Sequence, residues 1–144
     1  MIVVDRNLLV YAYNEASPLH AKARAFWEQS LSQERSVGMP WAVVLGFVRL
    51  TTHPRVLTEP LSPAAALDRV DAWFTRSNVR ILEPGPRHLL ILRDLFQATG
   101  VGASLTTDTH LAALAIEHQA ELCSNDSDFG RFPGLRWRNP LVGG

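Results

Sequence analysis

Cysteine is almost absent from this 144-residue chain: Cys123 stands alone inside the apolar run AELC, with no partner for an intramolecular bridge. A disulfide-stabilised secreted fold is therefore excluded, a reducing interior fits, and Cys123 reads as a small buried hydrophobe rather than a reactive thiol. Lysine is equally scarce, Lys22 being the single one among 14 basic residues, so phosphate contacts fall to arginine. Long apolar runs are missing as well. WAVVLGFV and LAALAI fall far short of the ~20 residues that cross a bilayer, and the opening IVVD lacks the basic start and cleavage site of an export signal. No membrane association and a cytoplasmic location are expected. There is no repeat, no low-complexity segment and no separating linker, so residues 1–144 are expected to form one domain.

What is present is regular alternation. Residues 2–5 read as a buried strand, Leu8 to Tyr13 as the start of a helix, and PLHAKARAFWEQSLSQ as a second helix with a start signal at Ser17 and Pro18. VGMPW punctuates. AVVLGFVRLTTHP is too long for one strand and reads as a helix ended near Thr52 by Pro54. Ser62 and Pro63 cap the amphipathic AAALDRVDAWFTR, NVRILEP has the short alternation of a strand, and RHLLILRDLFQATG is helical with a stop at Gly100. GASLTTD leads into the helix HLAALAIEHQ, AELCSND is a further strand, and PGLRWRNPL holds an edge strand. Strands alternating with helices predict an α/β domain with a central, mainly parallel sheet and helices on both faces.

Four aspartates stand out against that frame. Asp5 and Asp126 each close an apolar run, Asp108 sits where TTDTHLAALA enters a helix, and Asp128 follows Asp126 by two residues. Parallel sheets bind ligands at the carboxyl ends of their strands, and carboxylates gathered there repel one another unless a cation intervenes. A hard cation such as Mg²⁺ suits them, since it takes oxygen ligands and keeps several waters. Asp108 taken alone is an ordinary helix cap, with Thr106 or Thr107 as rivals for that place. Asp126 and Asp128 face one side of an extended backbone, or in a turn one of them bonds local amides. Asn7 is placed to fix the Asp5 rotamer or to bond a backbone group. Such a cluster supports metal-assisted hydrolysis of a phosphodiester, with Asp126 or Asp128 accepting a water's proton or holding a second metal.

Other candidates carry less. His20, His53, His88, His110 and His118 are scattered, and His110 lies about 200° around the helix axis from Asp108. Neither Ser104 nor Ser124 lies in a nucleophile elbow, and GVGAS lacks the Walker lysine. Trp27, Trp41 and Trp73 fit core or dimer packing, whereas Trp137, between Arg136 and Arg138 in an acid-free tail that also holds Arg131, is a candidate for stacking on RNA.

Together, VVDRNLLVYAYN, PWAVVLGFVRLTTHP and TTDTHLAALAIEHQAELCSNDSDFGRFPGLRWRNPL resemble the PIN-domain ribonucleases, most closely the VapC toxins of prokaryotic toxin–antitoxin pairs. The resemblance spans nearly the whole chain. It implies a Mg²⁺- or Mn²⁺-dependent endoribonuclease acting on RNA, restrained by a VapB-type antitoxin, and a homodimer is expected. Residue by residue, the family's first acid falls on Asp5, its helix-entry acid on Asp108 and its late acid on Asp126, with Asp128 as the neighbouring acid. Asp5, Asp108 and Asp126 would then hold metal.

Two positions depart from the family. Its usual glutamate in the second helix is missing, with Gly46 or Phe47 in its place, and Arg6 replaces a small residue beside the first acid. Strand alternation would turn Arg6 away from the site or onto another carboxylate; turned inward, it would bind phosphate or compete with the cation. A degenerate PIN domain that binds RNA or an antitoxin without cutting is one alternative. An aspartate-dependent phosphatase is another, although Lys22 is poorly placed for its phosphoryl group.

Overall fold

The computed structural model describes residues 1–142. Its elements are β1 (Ile2–Val4), α1 (Arg6–Tyr13), α2 (His20–Ser32), β2 (Val37–Met39), α3 (Trp41–Thr51), α4 (Pro63–Phe74), β3 (Val79–Ile81), α5 (His88–Thr99), α6 (Thr106–Glu117), β4 (Glu121–Cys123) and β5 (Arg136–Arg138). The five strands form one sheet in the order β3-β2-β1-β4-β5, and every pairing is parallel.

That order fixes where the helices go. The chain moves from β1 through β2 to β3 in one direction, then crosses back over β1 to β4. Right-handed crossovers therefore put α1 to α4 on one face and α5 with α6 on the other. The packing agrees, since α1 touches α2 and α3, α3 touches α4, and α5 touches α6. The parallel sheet with helices on both faces expected from the sequence is thus present.

The middle strands are short and mostly apolar because both faces are covered: Val3 and Val4 of β1 and Leu122 of β4 have no exposed surface. On one face an aromatic cluster joins the first four helices. Phe47 and Trp73 rings lie 4.7 Å apart, Trp27 meets Trp73 at 5.3 Å, and Trp73 Nε1 donates to the Tyr13 hydroxyl at 2.9 Å. Trp27 and Trp73 are core residues as expected, while Trp41 is half exposed. Among the described residues no helix is long and apolar enough to cross a membrane.

Two local expectations need correction. VGMPW is not mere punctuation, because Val37–Met39 is strand β2, buried between β1 and β3. Its three residues are too few to display a period, and Gly38 with Pro40 imitates a turn. The second helix starts at His20 rather than at Pro18. Ser17 bonds the Leu19 N–H at 3.1 Å in a local turn, and Leu19 precedes α2 without a side-chain cap.

Candidate active site

The order reversal between β1 and β4 creates the crevice in which open parallel sheets place their ligands. Asp5 is the first residue beyond β1. Its extended backbone lets Oδ1 accept the Arg6 N–H at 2.7 Å, making it the N-cap of α1, while Oδ2 accepts the Ser124 hydroxyl at 2.8 Å. From the neighbouring strand, Ser124 follows β4 immediately, and Asp126 comes two residues later.

Ser124 ties this corner together. Its Oγ donates to Asp5 and accepts both Asn7 Nδ2 at 3.3 Å and the Asp126 N–H at 3.0 Å, which satisfies the hydroxyl completely. Its backbone is also fixed, the N–H donating to Arg138 O and the carbonyl accepting Trp137 Nε1 at 3.0 Å. Trp137 therefore braces the site from behind. Asn7 reaches Asp5 through this one hydroxyl, and its own Oδ1 is buried with no partner.

Asp108 lies in the first turn of α6 but caps nothing; Leu105 precedes the helix and no side chain closes it. The carboxylate instead meets Arg6 Nη1 at 3.7 Å, the same nitrogen that stands 3.3 Å from Asp5 Oδ1. Folding has brought residues 5 and 108 around a single positive charge. Of the outcomes expected for Arg6, pairing with another carboxylate is the one found and leaning away is not: Arg6 opens α1 rather than continuing β1, and the helical backbone swings it over the acids.

The electrostatics are those of an under-neutralised cup. Burial, followed by the charge of Asp5, pushes the Asp108 carboxyl up to about 6, and Asp126 and Asp128 add to the effect against the opposing pull of Arg6. Burial also raises Asp5, despite the Ser124 and Arg6 contacts that favour its ionised form. Asp126 makes a turn in which Oδ1 accepts the Asp128 N–H at 2.9 Å, and Asp128 itself points outward to Arg131 at 3.5 Å. Among the described residues no three His, Cys, Asp or Glu side chains converge closely enough to enclose a metal. The core of the cup is two acids, Asp5 and Asp108, with Asp126 beside them.

The departure in α3 is also resolved. Phe47 is fully buried against Tyr13 and Trp73, so Gly46 is the residue that faces the cup, packed under the Arg6 stem. Ser124 was missed by sequence reasoning, which tested it only as a nucleophile. The available signal was its place two residues before Asp126, on the same face of an extended segment.

Acids gathered at the switch point of an all-parallel sheet define an α/β protein with its candidate site at the carboxyl ends of the strands. The chain belongs to the PIN domain family, whose profile matches residues 2–135. It is 42% identical to Ribonuclease VapC33 of Mycobacterium tuberculosis, over 98% of this chain and 99% of the relative. It is also 41% identical to Ribonuclease VapC37 of the same organism, over 97% of both. Among solved structures, VapBC2 from Rickettsia felis bound to a DNA fragment from its promoter is similar in fold, with a TM-score of 0.69, 18% identity and coverage of 96% of this chain and 98% of that one.

Proposed function

We propose that this chain is a metal-dependent endoribonuclease of the VapC type, hydrolysing RNA phosphodiester bonds in the cytoplasm as the toxin of a VapBC-type pair. The observation that carries the reading is the convergence of Asp5 and Asp108 on one cationic group at the sheet's switch point. The relatives' names, ribonucleases in both cases, supply the substrate class. A VapB-type antitoxin as partner is supported by the VapBC assembly among the similar structures. A homodimer remains our expectation from the family.

The residues fit a divalent cation. All the donors are oxygen, a positive group already stands between two of them, and the buried Asn7 Oδ1 has an unused acceptor site. Asp5 and Asp108 would hold Mg²⁺ or Mn²⁺, with Asp126 assisting through its remaining oxygen or a water, and Asp128 adding negative charge at the rim. Such an ion supplies a more acidic water and offsets the charge that grows on the leaving oxygen. The protein's own part is placement. Ser124 and the Arg6 N–H fix the Asp5 rotamer, Asn7 braces Ser124, and the free Asp126 oxygen is available to accept a proton from an attacking water.

Arg6 in the cup and the vacant acid position at Gly46 are the observations that favour the non-cleaving alternative. A phosphatase gains nothing, because Lys22 is exposed on α2 while the groups around Asp5 come from α1, α6 and the segment after β4. The purified chain, given structured RNA with and without Mg²⁺, should cleave only with metal. Asp5→Ala and Asp108→Ala should each lower the rate by about 10²-fold or more. Full cleavage by both variants would overturn the assignment, and sequencing the new 5′ ends would name the target.

A further inference from the structure

Arg6 and Gly46 form a matched pair. The Arg6 side chain leaves α1, runs across α3 and ends with Nη1 between Asp5 and Asp108, at 3.3 and 3.7 Å. It can do so because α3 has no side chain beneath it: a Cβ at Gly46 would collide with Arg6 Cδ, so the Arg6 side chain would have to shift. Alongside lies a cleft of about 300 Å³ bounded by Arg6, Ala42, Leu45, Gly46, Arg49 and Thr107. Its polar walls are Arg49 and Thr107, and the Arg6 side chain is a quarter exposed.

We propose that Arg6 is a displaceable resident cation, which neutralises Asp5 and Asp108 in the metal-free protein and withdraws into the cleft beside Arg49 when a divalent ion takes its place. This rests on the metal-dependent reading above. A guanidinium and a divalent ion both seated on Asp5 and Asp108 would repel at short range with only two largely buried carboxylates to offset their summed charge, which favours one occupant at a time. Removing the guanidinium without a replacement would strand two buried negative charges, so the exchange is one for one. The metal therefore binds a fraction of the molecules at a time, and its apparent affinity is reduced by that fraction. Once withdrawn, Arg6 stands with Arg49 and the Thr107 hydroxyl as a phosphate-binding wall at the rim of the cup. A phosphodiester bound there favours the withdrawn state, so substrate and metal each raise the other's affinity.

Mn²⁺ binding to the full chain, read by calorimetry and by the free-ion spin-resonance signal, tests this without reference to cleavage. Arg6→Ala and Arg6→Gln should bind Mn²⁺ about tenfold more tightly than the parent and show a larger Mn²⁺-induced rise in Tm. Gly46→Ala keeps Arg6 but evicts it from the cup, and should shift Mn²⁺ affinity in the same direction. Asp108→Asn should bind more weakly in every background. Unchanged Mn²⁺ affinity in all three Arg6 and Gly46 variants, with Asp108→Asn still weakened, would overturn the exchange and leave the metal site standing. Unchanged affinity in Asp108→Asn would instead remove the metal-dependent reading itself.

Discussion

Helix α6 carries a carboxylate at each end, the buried Asp108 in its first turn and the partly buried Glu117 as its last residue, and the two are held in opposite ways. The helix dipole favours an anion at the first position and opposes one at the last. The proton affinities run the other way. Asp108 is raised to about 6 by burial and by Asp5. Glu117 is lowered: burial alone would raise it, but Gly85 and Arg87 each donate a backbone N–H to it at 2.8 Å, and His118 and His88 add a smaller pull. Local partners outweigh the dipole at both ends. Glu117 is a clamp with its acceptors filled, joining α6 to the start of α5 so closely that a Cβ at Gly85 would press on Oε2. Asp108 is left short of donors beside other acids, the condition of a group kept for a ligand rather than for the fold.

Exchanging the two charges gives the largest expected contrast. Asp108→Asn should lose RNA cleavage by about 10²-fold or more while the metal-free protein stays at least as stable, because an unsatisfied buried charge has gone. Glu117→Gln should do the reverse. Its amide nitrogen would face an N–H that needs an acceptor, lowering stability by about 1–3 kcal/mol in urea unfolding, with cleavage below the transition unchanged. If Asp108→Asn were the more destabilised of the pair, the division between ligand-holding and fold-holding carboxylates would be wrong.

Acidity gives a smaller and sharper contrast, because the two ends contribute pH dependence of opposite sign. The folded Asp108 carboxyl has its pKa raised from 3.8 to about 6, so its contribution to metal-free stability is full below pH 3.8 and is lost as pH rises through about 6. Asp5 works in the same direction. Glu117 is lowered from 4.5, so its contribution is present above that value and lost as pH falls. His88 and His110 are lowered from 6.5, mainly by burial, and their contribution is likewise present above pH 6.5 and lost on acidification. In EDTA, between pH 4 and 6, these slopes oppose each other in the parent chain. Asp108→Asn removes most of the falling limb, so its Tm should climb more steeply with pH than the parent's. Parallel curves for the two proteins would contradict the raised Asp108.

Much of this was readable from residue order. The positions of Asp5 and Asp126 after apolar runs put both at the carboxyl edge of a parallel sheet, and the place of Asp108 at a helix entry is compatible with the same edge. What escaped was whatever depends on side-chain direction over a short span. β2 is three residues long and contains Gly38, so it shows no alternation. The direction of Arg6 turned on whether position 6 extends a strand or opens a helix, a boundary one residue wide. Ser124 acts through a hydroxyl that bonds Asp5, Asn7 and the Asp126 N–H, and its spacing from Asp126 marks the shared face without announcing the two distant partners. The assignment of the vacant acid position to Gly46 rather than Phe47 required the helix phase, which the aromatic cluster with Trp73 sets.

The smallest effect belongs to the histidine pair beside Glu117. His88 Nε2 and His110 Nδ1 are 2.9 Å apart, with rings at 80° and centroids 4.8 Å apart, so the two share one hydrogen bond in an edge-to-face contact. His88 Nδ1 has no hydrogen-bond partner and stands 3.9 Å from Glu117 Oε1. His110→Phe preserves the edge-to-face packing and removes only the shared bond, a loss of about 1 kcal/mol. Because His110 is two residues from Asp108 on a helix, the two side chains project to different sides, and the variant should cleave RNA within about twofold of the parent. It should also flatten the acid side of the Tm profile, since one of the two histidines that must stay neutral has gone. A tenfold fall in cleavage with intact metal binding would place His110 in the reaction and dissolve the separation between the two ends of α6.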